Sequence, residues 1–533
     1  GEALFQLDRL SDAETALVEG VNVWESLRAG LGTHDEFKVS LFETQLTTYR
    51  NLQEVLVKQN KAEPALAVAE RGRARAFVEL LARGKSRVIS STQPPTLEQL
   101  KQVARDRNAT LVEYSIIRDQ ATELPHGASV QYRQQQQDSA LFIWVVKPTG
   151  EVHFQQVPLT EPNQVKTVAD LVQTARSQIK ARGFASPAQI NPGDQVTRIG
   201  DVPTLAPYTV VSVDSAAATV TLDHPEISLP NPTVPISEVS LIDQGTPQNN
   251  PWSTGLFNDT AQLQELHELL IEPIADWLPQ DPEAQVIFIP QEQLFLVPFP
   301  ALKNATGQFL IEQHTVSTAP AIQVLGLTRQ AATSNAWHQS PLVVGNPSPM
   351  PAAFAALPFA EQEAQEIAPI LSTQPLLQAT ATESAVKQQI SQASLIHLAT
   401  HGFFNETQPL QGALALAPVA QQDGLLTADE ISALSLRAEL VVLSACDTGR
   451  GRITGDGVIG LSRAFLGAGA NSVMASLWQV ADDSTAVLMV AFYRQLVQGQ
   501  TKSQALRQAM LATMESHPDP HDWAAFTVIG APE

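Results

Sequence analysis

Cysteine is almost missing from this sequence, which has one such residue among 533. A single cysteine cannot form an intramolecular disulfide, so nothing indicates an oxidising compartment, and we expect the cytoplasm. Basic residues are also scarce: 33 Lys and Arg stand against 55 Asp and Glu, which gives a formal net charge of −22. This balance argues against nucleic acid or an anionic membrane as a partner and favours a partner with a basic segment.

Long apolar runs are lacking too. The most apolar stretches are interrupted, as residues 457–478 are by Arg463 and Asn471, so no segment is predicted to cross a membrane and no secretory signal is recognised. A chain of this length is expected to contain more than one domain. It opens on Gly1 inside a helical pattern, and we expect it to be part of a longer protein.

Changes in the sequence pattern divide the chain into three parts. Residues 1–90 carry apolar residues at three- and four-residue spacing, which predicts either degenerate tetratricopeptide-like repeats or an ordinary helical hairpin. Residues 96–330 alternate strand-like and helical segments, and residues 190–245 within them predict a small β-barrel insertion of the SH3 type. Residues 338–533 alternate apolar strands with helices, which predicts an α/β fold with a parallel sheet covered on both faces.

Two of the predicted strands end in chemically notable residues. The strand "SLIHLAT" is followed by His401 and Gly402, and the strand "AELVVLSA" is followed by Cys446. Because the carboxyl ends of parallel strands meet at one edge of a sheet, we expect these residues to lie close together. A neighbouring imidazole raises the thiolate fraction of a cysteine, and the backbone N–H groups of Gly402 and Cys446 could hold the oxyanion of a tetrahedral intermediate.

Three other interpretations compete with this dyad. Cys446 and His401 could be ordinary packing residues at strand ends. A zinc site that adds His397 is disfavoured, because residues four apart on a strand are separated by about 13 Å, and His397 is predicted to lie in the core. Nucleotide binding at "GDGVIG" (455–460), with Asp482 as the ribose acid, is disfavoured because nine residues separate the strand from these glycines. No metal or cofactor is therefore expected.

At "HLATHG" and "LSACDTG" the sequence resembles the CHAT family, the caspase-like cysteine peptidases that are often joined to tetratricopeptide repeats and are numerous in cyanobacteria. The likeness covers roughly residues 100–533 and continues through "LVPFPAL", "DGLLTADEI", "GDGVIGLSRAFLGAGANSVMASLWQVADDST" and "WAAFTVIG". It implies a mostly parallel, caspase-like sheet flanked by helices, with Cys446 as nucleophile and His401 as general base and then acid. It also implies that residues 96–330 are a pseudo-protease half related to the catalytic one.

The resemblance also bears on specificity. Arginine-cleaving relatives place an acid at the end of the first strand or two residues before the cysteine, where this chain has Asn346 and Ser444. Separase-like relatives use an acid in a later loop, where this chain has Asp482 after Trp478. This implies that Asp482 holds a basic P1 residue and that Trp478 walls the cleft, although Asp482 could equally be the N-cap of the next helix. Asp447 and Asn346 are further candidates for substrate binding.

The predicted function is a cysteine endopeptidase that cleaves a protein substrate after a basic residue, with Arg favoured, through an acyl-enzyme and without a cofactor. A regulatory protein bound to the helical segment is the other expected partner. The alternative is a non-catalytic scaffold that binds partners through the helical segment and the β insertion and retains a vestigial dyad.

Overall fold

A computed structural model describes most of the chain. The described residues are 1–29, 35–73, 77–78, 81, 94–119, 137–159, 167–180, 195–198, 208–214, 219–223, 233–235, 239–241, 261–328, 340–351, 354, 357–403, 412–419, 422–444, 452–454, 457–478, 480 and 482–533.

The N-terminal part of the chain is helical, as the spacing of its apolar residues predicts. Its helices are α1 (Glu2–Gln6), α2 (Leu10–Ala29), α3 (Asp35–Lys58) and α4 (Ala62–Arg71). Buried residues of these helices, such as Val21 and Leu52, share one apolar core with Trp144 of the following sheet. The indole Nε1 of Trp144 also donates a hydrogen bond to the carbonyl oxygen of Ala62 at 2.8 Å. The helical segment is therefore packed directly on the sheet.

The rest of the described chain alternates strands and helices. The helices are α5 (Leu97–Arg107), α6 (Val168–Lys180), α7 (Ala261–Leu270), α8 (Leu310–Gln313), α9 (Ile322–Leu327), α10 (Pro358–Ile370), α11 (Glu383–Ile390), α12 (Ala428–Ser432), α13 (Leu461–Ala468), α14 (Asp482–Val497), α15 (Lys502–Ser516) and α16 (Pro520–Trp523). Short 3₁₀ helices lie at Glu272–Trp277, Glu292–Leu296 and Phe299–Ala301. The strands are β1 (Ala109–Asp119), β2 (Gln137–Val146), β3 (Val152–Pro158), β4 (Gln195–Arg198), β5 (Tyr208–Asp214), β6 (Thr219–Asp223), β7 (Thr233–Pro235), β8 (Val239–Leu241), β9 (Gln285–Ile289), β10 (Thr315–Thr318), β11 (Pro341–Pro347), β12 (Leu376–Gln378), β13 (Leu395–Ala399), β14 (Gly402–Phe403), β15 (Ala413–Ala415), β16 (Leu425–Thr427), β17 (Leu440–Ser444), β18 (Arg452–Thr454), β19 (Gly457–Ile459), β20 (Ser472–Ser476) and β21 (Phe526–Gly530).

One large sheet organises the molecule. Its eleven strands lie in the order β12, β11, β13, β17, β20, β21, β10, β9, β1, β2, β3. Neighbouring strands are parallel except at β20–β21, β1–β2 and β2–β3. Every residue of β13, β17 and β20 is buried, because helices cover both faces of the sheet. The predicted α/β fold, a mostly parallel sheet flanked by helices, is confirmed.

The last strand, β21, is an exception to the parallel arrangement of the sheet. It runs antiparallel to β20 and parallel to β10. The reason is that two long helices, α14 and α15, separate β20 from β21. One crossover helix returns the chain to the starting edge of a sheet, and a second helix carries it back. β21 thereby joins strands from the predicted segments 96–330 and 338–533 in one sheet, and their division into domains stays a prediction.

Smaller sheets lie outside the large one. In the region of the predicted insertion, β4–β8 form an antiparallel sheet in the order β7, β6, β5, β4, β8. The strands β14, β15 and β16 form a second, and β18 pairs with β19 as a hairpin. Residues 457–459 pair with 452–454, and helix α13 begins only after this hairpin, at Leu461. The β-branched Val458 and Ile459 favour that strand.

Candidate active site

His401 follows the buried strand β13, at the carboxyl edge of the sheet. Its neighbour Thr400 donates a hydrogen bond from Oγ1 to the carbonyl oxygen of Ala415 at 2.5 Å. The N–H of Ala415 in turn donates to the carbonyl oxygen of His401 at 2.9 Å. These contacts with β15 fix the backbone of His401, while its side chain is half-buried. An imidazole in this position can exchange protons with a group bound at the edge of the sheet.

Gly402 begins the short strand β14. It pairs antiparallel with Leu414 of β15 and is half-buried. The chain therefore bends away from the large sheet directly after His401. The contribution of the Gly402 N–H to an oxyanion hole stays a prediction.

Cys446 and Asp447 lie outside the described residues. The observation that bears on the predicted dyad is therefore the register of the two strands that precede His401 and Cys446. The parallel register of β13 and β17 pairs Ala399 with Ser444, both at the ends of their strands. Along the sequence, His401 follows Ala399 by two residues, and Cys446 follows Ser444 by two residues. The described parts of the two strands are thus in the register that the predicted dyad requires.

An aromatic residue that the sequence interpretation did not include lies on His401. The phenyl ring of Phe354 stacks on the imidazole, with ring centroids 5.2 Å apart and an interplanar angle of 27°. Phe354 lies between β11 and α10, and its N–H donates to the carbonyl oxygen of Pro351 at 3.0 Å. The one related signal in the sequence is that Phe354 lies eight residues after Asn346, a candidate for substrate binding. No residue pattern connects the two rings.

Asn346 is buried at the end of β11 and has a positive φ of 44°. Its Nδ2 donates to Oε2 of Glu361 at 3.0 Å, and its Oδ1 accepts the N–H of Leu357 at 2.8 Å. These contacts hold the start of α10 against the end of β11. The observed role is structural, and substrate binding by Asn346 stays a prediction.

Trp478 requires a correction. The sequence interpretation made it a wall of the substrate cleft, but its side chain is fully buried and its Nε1 donates to the carbonyl oxygen of His521 at 3.0 Å. The indole therefore belongs to the apolar core. Two hydrogen bonds fix the preceding residue, Leu477. Its N–H donates to the carbonyl oxygen of Ala525 at 2.7 Å, and its carbonyl oxygen accepts a hydrogen bond from Nη2 of Arg176 at 2.5 Å.

Asp482 is the first residue of helix α14. The alternative interpretation made Asp482 the N-cap of this helix, whereas the helix already includes Asp482. An acidic residue in the first turn interacts favourably with the helix dipole. The side chain of Asp482 lies outside the described part of the structure, so its contact with a P1 residue stays a prediction.

His397, the other histidine of β13, is fully buried, which confirms its predicted position in the core. Its Nδ1 is 3.0 Å from the hydroxyl of Tyr493, and its Nε2 is 3.0 Å from Oε1 of Glu363, although the second pair is not aligned as a hydrogen bond. Burial, with Glu363 nearby, raises the pKa of Tyr493 well above its ordinary value. Both ring nitrogens thus face oxygens of core side chains, which argues against a zinc ligand at this position.

Comparison with known proteins identifies the family. A family model described as the CHAT domain matches residues 260–531, which is half of the chain. The chain belongs to the CHAT domain family. Tetratricopeptide repeat protein 28 of Homo sapiens is 26% identical over 613 residues, covering 100% of this chain and 24% of that protein. Its counterpart in Mus musculus is 25% identical with the same coverage. The chain therefore spans about a quarter of the length of these curated relatives.

Among solved structures, the Saccharomyces cerevisiae separase–securin complex is similar to this chain with a TM-score of 0.52 and 11% identity. The similarity covers 94% of this chain and 37% of that one. At this identity the similarity concerns the fold alone, and it agrees with the caspase-like sheet described above.

Within the CHAT domain, Gly457 and Gly460 do not form a dinucleotide-binding turn. Gly457 belongs to β19 and Gly460 precedes α13, so the hairpin β18–β19 stands between β17 and that helix. A phosphate-binding fingerprint requires the strand to lead directly into the helix.

Of the helices in the described part of the chain, none combines the length and the apolar character that a membrane span requires.

Proposed function

We propose that this chain is a cysteine endopeptidase that acts by acyl transfer through Cys446 and His401. The observation that carries the proposal is the register of β13 and β17, whose paired ends Ala399 and Ser444 each precede one member of the dyad by two residues. Residues that follow neighbouring parallel strands emerge at one edge of a sheet, where ligands bind in such folds. Membership of the CHAT family supports the same assignment.

In the proposed reaction, His401 takes the proton of the Cys446 thiol, and the thiolate attacks the carbonyl carbon of the peptide bond. The backbone N–H groups of Gly402 and Cys446 hold the oxyanion that forms. When the tetrahedral intermediate collapses, the C–N bond breaks and the leaving amine takes the proton from His401. Water, deprotonated by His401, then hydrolyses the thioester and restores the thiol. The reaction uses no metal or cofactor.

We propose a basic P1 residue, with Arg favoured and with Asp482 as its partner. The position of Asp482 at the start of α14 supports this. The loop before α14 begins at Leu477, directly after β20, and β20 lies beside β17, the strand that precedes Cys446. Arg176 fixes the start of this loop by a hydrogen bond to the carbonyl oxygen of Leu477. Asp447 is a second acid in the sequence beside the nucleophile. The excess of acidic residues also favours a basic substrate protein, and a regulatory protein on the helical segment is the second proposed partner.

The test is intact mass after incubation with a peptidyl-arginine acyloxymethyl ketone. Wild type should gain one adduct, Cys446→Ala should gain none, and His401→Ala should react slower by roughly 100-fold or more, because it lacks the base. His517→Ala, at the end of α15, is the matched control and should react like wild type. The same ketone with alanine at P1 tests the preference for a basic residue.

An adduct that persists in Cys446→Ala would contradict the assignment of the nucleophile. Equal labelling by the arginyl and alanyl ketones would contradict the proposed P1 preference and leave the dyad intact. A wild-type chain that reacts with neither ketone would favour the alternative function, a scaffold with a vestigial dyad.

A further inference from the structure

We propose that the seam recess, a cavity where β10 meets β21 that is lined in part by Phe295 and Leu477, binds one branched aliphatic side chain of the substrate. Phe295 is the residue that sets the size of this subsite. The proposal rests on the proposed function, because it assigns a second contact to the same substrate, at a residue that flanks the P1 residue.

The seam recess lies where two neighbouring strands barely pair. The parallel register of β10 and β21 comprises one pair, Thr318 with Ile529, although both strands are described in full. Across the seam, the hydroxyl oxygens of Thr318 and Thr527 are 3.3 Å apart. Most of the lining is apolar and comes from three remote parts of the chain: Phe77, Phe295, Pro320, Leu466, Leu477 and Ile529.

The chemistry of this lining fits an aliphatic group. The two threonine hydroxyls can bond to each other, and the guanidinium of Arg463 lies over the ring of Phe77, with Cζ 5.2 Å from the ring centroid. None of the described residues that line the recess is acidic, so the recess does not suit the basic P1 side chain that we assign to Asp482. Burial of apolar surface is therefore the interaction through which it can bind a ligand.

Two described features connect the recess with the candidate active site. Leu477 directly follows β20, the neighbour of β17, which precedes Cys446. The helix α13, whose first turn contains Arg463, follows the hairpin β18–β19, and that hairpin contacts the 3₁₀ helix Glu292–Leu296, which carries Phe295. Neighbouring strands lie about 4.8 Å apart and an extended peptide spans about 3.3 Å per residue, so a residue within a few positions of P1 can reach the recess.

The size of the recess selects its occupant. Its volume is about 40 Å³, several times the roughly 10–15 Å³ that one water requires, and we expect it to hold an isobutyl group but not an indole. A smaller cavity of about 10 Å³ shares Phe295 and Leu477 with it. Because Phe295 borders both cavities, its truncation should enlarge the recess, and a larger ring at this position should fill it.

The 3₁₀ helix that carries Phe295 is held in place by charged contacts. Oε2 of Glu292 accepts a hydrogen bond from Nη2 of Arg118 in β1 at 2.5 Å. Arg50 of the helical segment binds the same carboxylate. One wall of the recess is thus fixed before a ligand arrives, which lowers the cost of ordering it on binding.

The first test measures binding, because binding does not require catalysis. Fluorescent peptides with arginine at P1 carry leucine, tryptophan or serine at one flanking position at a time, from P4 to P3′, and anisotropy gives their affinity for the Cys446→Ala chain. At one of these positions, the leucine peptide should bind roughly 10-fold more tightly than the serine peptide, because it buries an aliphatic side chain.

Two opposite substitutions of Phe295, made in the Cys446→Ala chain, locate this preference. Phe295→Trp should remove most of the advantage of leucine, because the larger ring fills the recess. Phe295→Ala should instead shift the preference towards tryptophan. Phe359→Trp is the matched control, because the side chain of Phe359 on α10 is 47% exposed, and it should retain the preference for leucine.

The second test measures cleavage of the same peptides by chains that keep Cys446. Phe295→Trp should lower kcat/KM for the leucine peptide by roughly 10-fold and leave the serine peptide near its wild-type value, since only leucine uses the recess. A general structural defect would lower both values alike, and such a result would contradict the role in specificity.

The outcomes separate two kinds of failure. Equal affinities of the leucine and serine peptides at every position would overturn the subsite. A leucine preference that persists unchanged in both Phe295 variants would overturn its assignment to the seam recess. A chain that binds the leucine peptide with the expected dependence on Phe295, but cleaves none of the peptides, would overturn the proposed peptidase and leave the recess as a peptide-binding site.

Discussion

At the scale of single residues, the buried acid Glu113 is informative because its surroundings oppose its charge. It lies fully buried in β1, with Oε1 3.3 Å from Nε of Arg73. Burial raises the pKa of Glu113 well above its ordinary value, Glu70 raises it further, and Arg73 lowers it in part. We therefore expect the neutral carboxylic acid to be the form that the folded protein favours.

A pH dependence of stability follows from Glu113. Above the ordinary pKa of a glutamate, about 4.3, the folded chain keeps a proton that the unfolded chain has lost. The free energy of unfolding that depends on this proton is therefore present at low pH and is lost as pH rises through the folded pKa. Glu113→Gln, which imitates the neutral acid, should be free of this loss.

Denaturant unfolding of wild type and Glu113→Gln between pH 5 and 8 tests this prediction. The difference between their free energies of unfolding should grow with pH in favour of the variant, by at most about 1.4 kcal/mol per pH unit. The control is Glu98→Gln, because the side chain of Glu98 is 73% exposed in α5. If the wild-type and Glu113→Gln curves stay parallel across this range, Glu113 does not hold the proton.

At the scale of elements, the sequence pattern predicts those helix caps and strands that depend only on neighbouring residues. The Thr-x-x-Glu pattern that starts at Thr427 is typical of a capping box. In the structure Oγ1 of Thr427 accepts the N–H of Glu430 at 3.2 Å, and the Glu430 carboxylate accepts the N–H of Thr427 at 2.9 Å. The strand before His401 was predicted for a similar reason, because its continuous apolar run requires burial on both faces. Such features depend on a few neighbouring residues.

Features that depend on distant partners could not be read in the same way. The family resemblance implied that Trp478 lines the substrate cleft. Only its hydrogen bond to the carbonyl oxygen of His521 and its packing show that it belongs to the core. The stack of Phe354 on His401 joins segments 47 positions apart. For the candidate site, the sequence therefore predicted the strand ends but not the residues that support them.

The helix α9 shows how a distant residue completes an element. Glu70 of α4 accepts the N–H of Ile322 at 2.7 Å and that of Gln323 at 3.2 Å, at the first turn of α9. These donors have no acceptor within a helix, because the first N–H groups of any helix point away from its carbonyl groups. A side chain 252 positions away thus acts as the cap of α9 and links it to the helical segment.

We expect Glu70→Ala to lower the free energy of unfolding by about 3 kcal/mol, since it leaves the buried N–H of Ile322 and the part-buried N–H of Gln323 without their carboxylate acceptor. Glu70→Gln keeps one acceptor oxygen and should lose about half as much. The control is Glu63→Ala on the same helix, whose 46% exposed side chain pairs with Lys101 and should cost less than about 1 kcal/mol. Chemical denaturation measures all three, and equal losses for Glu70→Ala and Glu63→Ala would contradict the capping role.

At the scale of the whole molecule, charged contacts connect parts that are remote in sequence. Arg107 of α5 binds the side chain of Glu533 at 2.7 Å, and Arg507 of α15 binds Glu283 at 2.8 Å. The contact of Arg176 with Leu477 likewise connects α6 to the loop that leads to α14. The large sheet also contains strands from both halves of the chain. We therefore expect the CHAT domain and the region before it to hold the candidate active site together.

The net charge of −22 leads to a prediction about substrate encounter. An acidic protein attracts a basic peptide over a range set by the Debye length, which falls from about 10 Å at 0.1 M salt to about 3 Å at 1 M. Cleavage of a basic peptide at the proposed site should therefore slow as salt rises, because the encounter rate falls while the contacts inside the site persist.

The measurement uses two arginyl peptides with the same residues next to the scissile bond and with either lysines or glutamates at the outer positions. Between 0.05 and 1 M salt, we expect kcat/KM for the lysine peptide to fall by roughly 10-fold or more, within the range of electrostatic steering. The glutamate peptide should change little or gain, since screening removes a repulsion. Using two peptides separates encounter from any effect of salt on the enzyme itself, which would alter both rates alike. Identical salt profiles would show that the acidic surface has no part in substrate selection and would leave the choice of a basic substrate to the acids beside the dyad.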